Sequence, residues 1–137
     1  MNILGVDFGD SRTGIAIASN LGKLAQPLCM IESKKPAETA EKVVDIATEN
    51  DVAKIVIGLP KNMDGSLGFR AEATQEFGKL VEELSKLEVV YVDERLTTVS
   101  AASYLNKCGV RGKKRKHLID VVSSVIILQN YLDSHIT

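Results

Sequence analysis

Short apolar runs open the chain and helical periodicities follow. Ile3 to Phe8 (ILGVDF) and Thr13 to Ala18 (TGIAIA) predict two buried strands, and Gly9 to Arg12 between them predict a hairpin turn. Asn20 to Lys23 predict a second turn, and a third strand is expected from about Ala25 to Ile31. The period then changes. From Pro36 to Glu49, Ala37, Ala40, Val43, Val44 and Ala47 recur at helical spacing, with a proline suited to the first turn. Lys54 to Gly58 predicts another buried strand, stopped by Leu59-Pro60. Lys61 to Phe69 reads as a loop of functional length. Arg70 to Leu87 predicts a helix with Ala73, Phe77, Leu80, Val81 and Leu84 on one face, and Leu87 to Val92 a strand. A helix capped by Thr97 or Thr98 runs to about Asn106, then a basic loop, then a last helix from about His117 to Asp133. Its packing stripe is Leu118, Val121, Val122, Val125, Leu128 and Leu132, and Ser123 and Ser124 are small enough for this turn to lie close to the sheet and bring Asp120 near the strand ends.

The order β-β-β-α-β-α-β-α-α calls for an α/β fold. Three antiparallel strands followed by helical crossovers make a mixed sheet with helices on its faces. The 137 residues fit one domain spanning 1–137, with no repeat or linker tract. No apolar run is long enough to span a bilayer, and the first ten residues carry an acid and no basic region. A cytoplasmic protein is expected. Cys29 and Cys108 are too far apart in sequence and context to make a disulfide framework or a zinc knuckle, and Cys29 reads as a small core residue.

The net charge of −1 is uninformative, but its distribution is not. Lys107, Arg111, Lys113, Lys114, Arg115 and Lys116 fall together with no acid among them, and the rest of the chain is acidic. One concentrated basic segment points to local polyanion binding. Tyr91, Tyr104 and Tyr131 fall on packing positions. With aromatics at 4%, single-strand binding by stacking is not expected.

Acids stand at three predicted element ends. Asp7 closes the first strand within Gly5-x-Asp7-x-Gly9-x-x-x-x-Gly14-x-Ala16, where glycines leave room for a phosphate or a backbone. A carboxylate ending a buried strand is costly unless it is paired or bound to a cation. Asp93 and Glu94 end the last predicted strand, followed by Arg95, and Asp120 sits four residues after the basic run. Each has an ordinary explanation alone: a turn cap, a solvated strand end, a favourable charge near a helix start. A mixed sheet can bring all three to one edge beside the basic segment. Few carboxylates plus substrate phosphate and water suit Mg²⁺, and two ions about 3.5–4 Å apart can support phosphodiester hydrolysis. Two enzyme classes use such a hairpin: ATPases of the sugar-kinase, actin and chaperone group, and ribonuclease H-like nucleases. The ATPases clamp nucleotide between two such domains, and this length supplies one. His117 reads as a cap or surface residue.

Four blocks then resemble the YqgF family, also called RuvX: Gly5-Val-Asp-Phe-Gly with Arg12-Thr-Gly-Ile-Ala16; Val56-Ile-Gly-Leu-Pro60 with Asp64-Gly65; Val92-Asp-Glu-Arg-Leu-Thr-Thr98; and Ile119-Asp120 with Ile126-Ile-Leu-Gln129. The resemblance implies a ribonuclease H-like fold with a five-stranded mixed sheet in the order 3-2-1-4-5. It implies catalytic and metal-binding roles for Asp7, Glu94 and Asp120, with Mg²⁺ or Mn²⁺. It implies a nuclease of pre-16S ribosomal RNA 5′-end maturation, with Holliday junction cleavage as the older proposal. A non-catalytic RNA-binding processing or transcription factor is the reading from another class. Arg12, Arg95, Arg111, Lys113, Lys114, Arg115 and Lys116 would position phosphates of structured RNA or branched DNA. The protein would act as monomer or homodimer, with a ribosomal association as a further expectation. Adjacent strand residues face opposite ways, so sequence leaves Asp93 and Glu94 as competitors for the second ligand.

Overall fold

The computed structural model describes residues 1–19, 24–60, 68–93 and 113–135, the last stretch with side chains from 121 to 134. Its elements are β1 (Asn2–Asp7), β2 (Arg12–Ser19), β3 (Gln26–Glu32), α1 (Pro36–Glu49), β4 (Val52–Leu59), α2 (Phe69–Ser85), β5 (Glu88–Asp93) and α3 (Lys113–His135). The strands form one sheet in the order β3-β2-β1-β4-β5. β2 runs antiparallel to both its neighbours, while β1, β4 and β5 are parallel. The carboxyl ends of β1, β4 and β5 therefore share one edge with the start of β2. Pro27 sits in β3, an edge strand, where its missing N–H costs no ladder bond.

Strand alternation divides the core into two halves. Leu4, Val6, Ile15, Ile55 and Ile57 face α1 and α2, and pack with Val43, Phe77 and Val81. Ile3, Ala16, Ala18 and Val56 face α3, and pack with Ile127, Leu128, Tyr131 and Leu132. Around Gly5, Ala16 and Ala18 the α3 side is lined by small residues, and the helix comes close. A Cβ built on Gly5 would stand 2.7 Å from Leu128 Cβ and 3.0 Å from the Ser124 carbonyl oxygen. Ser123 and Ser124 are both buried there, so their small size lets this turn of the helix rest on the sheet.

Most predicted elements form within one or two residues of expectation. Two helical faces are rotated from the predicted stripes. On α2 the buried residues are Ala71, Thr74, Phe77, Gly78 and Val81, and Leu84 is exposed. On α3 they are Ser123, Ser124, Ile127, Leu128, Tyr131 and Leu132, while Val121, Val122 and Val125 are half-buried. The basic loop expected before His117 is a correction: Lys113, Lys114, Arg115 and Lys116 are the first turn of α3. After Gly112 no glycine or proline interrupts the chain through His135, and Lys and Arg are good helix formers. His117 accordingly does not open the helix, and Asp120 lies two turns in, with no acid in the first turn. The helix expected between Thr97 and Asn106 lies outside the described residues.

Candidate functional site

Asp7 is the last residue of β1 and is half-buried. It shares a sheet face with Ile3 and Gly5, the face that α3 covers, because alternate residues of a strand point the same way. Its partner across the antiparallel ladder is Gly14. On the other side Val6 pairs with Ile57, which puts Gly58 beside Asp7. The carboxylate thus stands between two strand positions without side chains.

The turn after it is tight. A Cβ on Gly9 would collide with the Arg12 carbonyl, and the Gly9 N–H donates to the Thr13 hydroxyl at 3.4 Å. Arg12 starts β2, paired in register with Glu32. Arg12, Glu32 and Lys34, with Ser11 and Ser33, line a shallow depression at this edge. Asp10 at the turn tip is bound by Arg70 at 3.1 Å.

The direction of α3 locates position 120. Ser124 and Leu128 lie at Gly5. Farther along, Tyr131 accepts a 2.8 Å hydrogen bond from Lys54, whose strand position pairs with Ile3. The helix therefore runs against β1, and its earlier residues lie toward the Asp7 end. Position 120 precedes Ser124 by four residues, a step of about 6 Å along the helix. Asp7 follows Gly5 by two residues, about 6.6 Å along the strand in the same direction. The helix backbone at 120 is thus level with Asp7, on the face that Asp7 occupies.

β5 gives a matching phase. Val90 and Val92 pack with the α3-side cluster, whereas Val89 and Tyr91 pack with the other. Asp93 is in phase with Val89 and Tyr91, and so out of phase with Asp7. It is exposed and pairs with Leu59. Sequence could not supply this, because which β5 positions face which helix is fixed only by tertiary packing.

Glu94, Arg95 and Arg111 lie outside the described residues, and Lys113 to Lys116 and Asp120 are described by backbone alone. Among the described residues no three potential metal ligands gather. Cys29 is half-buried, and burial pushes its thiol pKa up, as suits an inert core residue. One exposed aromatic escaped the sequence reading. Phe69, placed there in a loop, is the first residue of α2 and is 85% exposed. Its signal was its spacing: it continues the Ala73–Phe77 row by one turn beyond the core.

A family model described as "RuvX: Holliday junction resolvase" matches residues 1–134. A relative from Ruminiclostridium cellulolyticum, named "Putative pre-16S rRNA nuclease", is 46% identical over 134 residues, which is 97% of this chain and 94% of its own. One from Bacillus cytotoxicus with the same name is 43% identical, covering 98% and 99%. Among solved structures, T. thermophilus RuvC in complex with a Holliday junction substrate superposes with a TM-score of 0.63 at 11% identity, covering 98% of this chain and 94% of that one. A fowlpox virus resolvase bound to Holliday junction DNA gives 0.63 at 13% identity over the full length of both. These distant likenesses, with the strand order, establish the fold as ribonuclease H-like.

Proposed function

The chain belongs to the RuvX family, and from that premise we propose that it is a metal-dependent endonuclease acting on structured RNA, the 5′ region of the pre-16S ribosomal RNA. The observation that carries this reading is the seating of α3 on Gly5. That contact sets position 120 level with Asp7, on one face of the sheet, at an edge where Asp7 stands between Gly14 and Gly58.

Asp93 is in phase with Val89 and Tyr91, on the side of the sheet away from α3. The family resemblance implies Glu94, which lies outside the described residues, as the second ligand, and the phase of Asp93 supports that choice. Asp7, Glu94 and Asp120 would hold Mg²⁺ or Mn²⁺; their oxygen donors suit a hard cation that keeps water and phosphate in its shell. Bound there, the cation supplies activation of water and charge neutralisation at the scissile phosphate. The chain's own part is placement. Gly14 and Gly58 admit the sugar–phosphate backbone to Asp7. Arg12, Arg95, Arg111 and the cationic first turn of α3 draw in phosphates without reading sequence. That turn places four positive residues at the positive end of a helix dipole, an unfavourable arrangement for the free protein that a bound polyanion relieves.

Cleavage of branched DNA is the second reading, favoured by the description of the family model. Symmetric cuts on a four-way junction suit a homodimer, whereas RNA processing proceeds with a monomer, in the cytoplasm and in association with the ribosome. The decisive assay incubates wild type and Asp7→Asn with 5′-extended ribosomal RNA precursor and with four-way DNA junctions, with and without Mn²⁺. Metal-dependent cutting of the RNA by wild type alone is the expected result. RNA binding by both proteins with no cutting of either substrate would make the chain a non-catalytic RNA-binding factor. Cutting that persists in Asp7→Asn would remove the mechanism.

A further inference from the structure

A groove of about 490 Å³ opens beside the β1–β2 turn, on the α1/α2 side of the sheet edge. Its apolar walls include Phe8, Pro36, Ala37 and Phe69. Phe8 stacks on Phe77 with ring centroids 4.1 Å apart and planes 11° from parallel, which makes a firm floor. Phe69 stands at the rim, 85% exposed. A bare phenyl ring in water gains nothing for the fold, and the core does not need it.

Charge selects the occupant. Glu76 and Asp10, the latter ion-paired with Arg70, line the groove itself, which disfavours a phosphate inside and leaves the Glu76 carboxylate as an acceptor for an exocyclic amino group. Ser33 and Lys34 also line it, and they are shared with the depression that holds Arg12. An aromatic, amino-accepting slot adjoins a shelf on which two cations, Arg12 and Lys34, outnumber one acid, Glu32. A nucleotide fits that division, with its base in the slot and its phosphate on the shelf. Duplex RNA keeps its bases stacked and cannot enter.

We propose that this groove is a subsite for an unpaired nucleobase of the RNA or DNA strand flanking the cleaved bond, with Phe69 as the stacking surface and Lys34 as a phosphate contact. Phe8 follows Asp7 directly in the chain but faces the opposite side of the sheet. A base held here therefore belongs to a neighbouring nucleotide that has rounded the sheet edge, not to the one being cut. The inference rests on the nucleic-acid reading above. It adds a requirement for single-stranded character next to the cleavage point.

The full chain contains no tryptophan, so Phe69→Trp places a single reporter in the groove. Titration with a short single-stranded oligoribonucleotide should quench its emission, and an oligonucleotide with abasic sites throughout should not. Phe69→Ala should weaken single-strand binding by roughly five- to a hundredfold, the range for losing one stacked base. Its affinity for blunt duplex RNA and its thermal midpoint should stay unchanged, since the ring is exposed. Lys34→Ala should lower the salt dependence of binding by about one phosphate contact. Unquenched indole emission from the Phe69→Trp protein, together with equal single-strand affinities of Phe69→Ala and wild type, would overturn the subsite while duplex binding kept the nuclease reading alive. Failure of wild type to bind any nucleic acid would overturn both. Self-association abolished by Phe69→Ala, with RNA binding intact, would mean that a second copy covers the ring, and would also overturn it.

Discussion

The two faces of the sheet are built on different terms. The α1/α2 face is filled with bulk: Leu4, Ile15, Ile55, Ile57 and Phe77 are essentially inaccessible. The α3 face at the same strands presents Gly5, Ala16 and Ala18, and receives Ser123 and Ser124 from the helix. Bulk gives stability, because buried area scales with side-chain size. Small residues give proximity, because a helix can rest almost backbone to backbone on a strand. The thick face holds the protein together. The thin face sets where one acid-bearing helix lies relative to one acid-bearing strand.

Removing bulk tests the first half of that contrast. Phe77→Ala should cost about 3–5 kcal/mol of folding free energy, the usual range for truncating a buried phenylalanine, read from the urea midpoint at constant slope. Cleavage per folded molecule should survive, since Phe77 faces away from Asp7. Asp7→Asn should do the reverse. Losing even a residue that only orients a metal ligand costs about 10–100-fold in activity, so cleavage should fall by about a hundredfold or more with the thermal midpoint unmoved or raised.

Sequence showed the thick face better than the thin one. Short apolar runs and helical spacing located every described strand and helix, because clustered apolar residues announce a buried element. Pro36 marked the start of α1 to the residue. The α3 stripe of large residues was drawn through Val121, Val122 and Val125, which are only half-buried. The small size of Ser123 and Ser124 did signal a turn lying close to the sheet, and the helix buries both. Hydrophobicity alone would have left those serines in water. Sequence also left open the phase of β5, which puts Asp93 out of phase with Asp7 once Val90 and Val92 are seen against α3. Asp7 was legible as a carboxylate ending a strand, whereas Asp120, expected near a helix start, lies two turns into α3. The seating of that helix depends on a glycine, Gly5, whose spacing in the motif was visible but whose contact was not.

Two glycine-to-alanine changes sharpen the comparison at smaller amplitude. In Gly5→Ala the new methyl meets Leu128 Cβ and a backbone carbonyl, neither of which can turn aside. Overpacking of this kind costs about 1–3 kcal/mol. α3 must lift, and a displacement of about 1 Å in a reacting group can cost about a hundredfold in rate. Activity per folded molecule should therefore fall. In Gly78→Ala, on α2, the methyl meets the Tyr91 hydroxyl and ring carbon Cζ, so the ring must shift and its hydrogen bond to the Gln75 carbonyl loosens. Helix propensity returns about 0.5–1 kcal/mol, which offsets part of the overpacking cost of about 1–3 kcal/mol. Stability should fall slightly, with cleavage unchanged. Equal loss of activity in both variants would mean that α3 is not held by close approach at all.

The smallest effect concerns the far end of α3, where polar contacts stand in for bulk. Gln129 accepts from the Ala25 N–H at 2.9 Å, and Lys54 donates to the Tyr131 hydroxyl at 2.8 Å while pairing with Glu88 at 3.4 Å. The ammonium lies 5.5 Å from the Tyr131 ring centroid, so it grips the tip of the ring rather than its face. The Tyr131 hydrogen bond holds the Lys54 pKa above its ordinary 10.5. A raised pKa in the folded state means that the contribution is fully present below the ordinary value and is lost as pH rises through the raised one. Because Glu88 is largely exposed, Lys54→Met should cost less than about 1 kcal/mol at neutral pH. The difference in melting temperature between wild type and Lys54→Met should hold constant up to pH 10.5 and shrink above it. A difference that stays flat into stronger alkali would assign the grip on α3 to the Lys54 methylenes packed on Tyr131. The thin face would then be held by apolar contact at this end too.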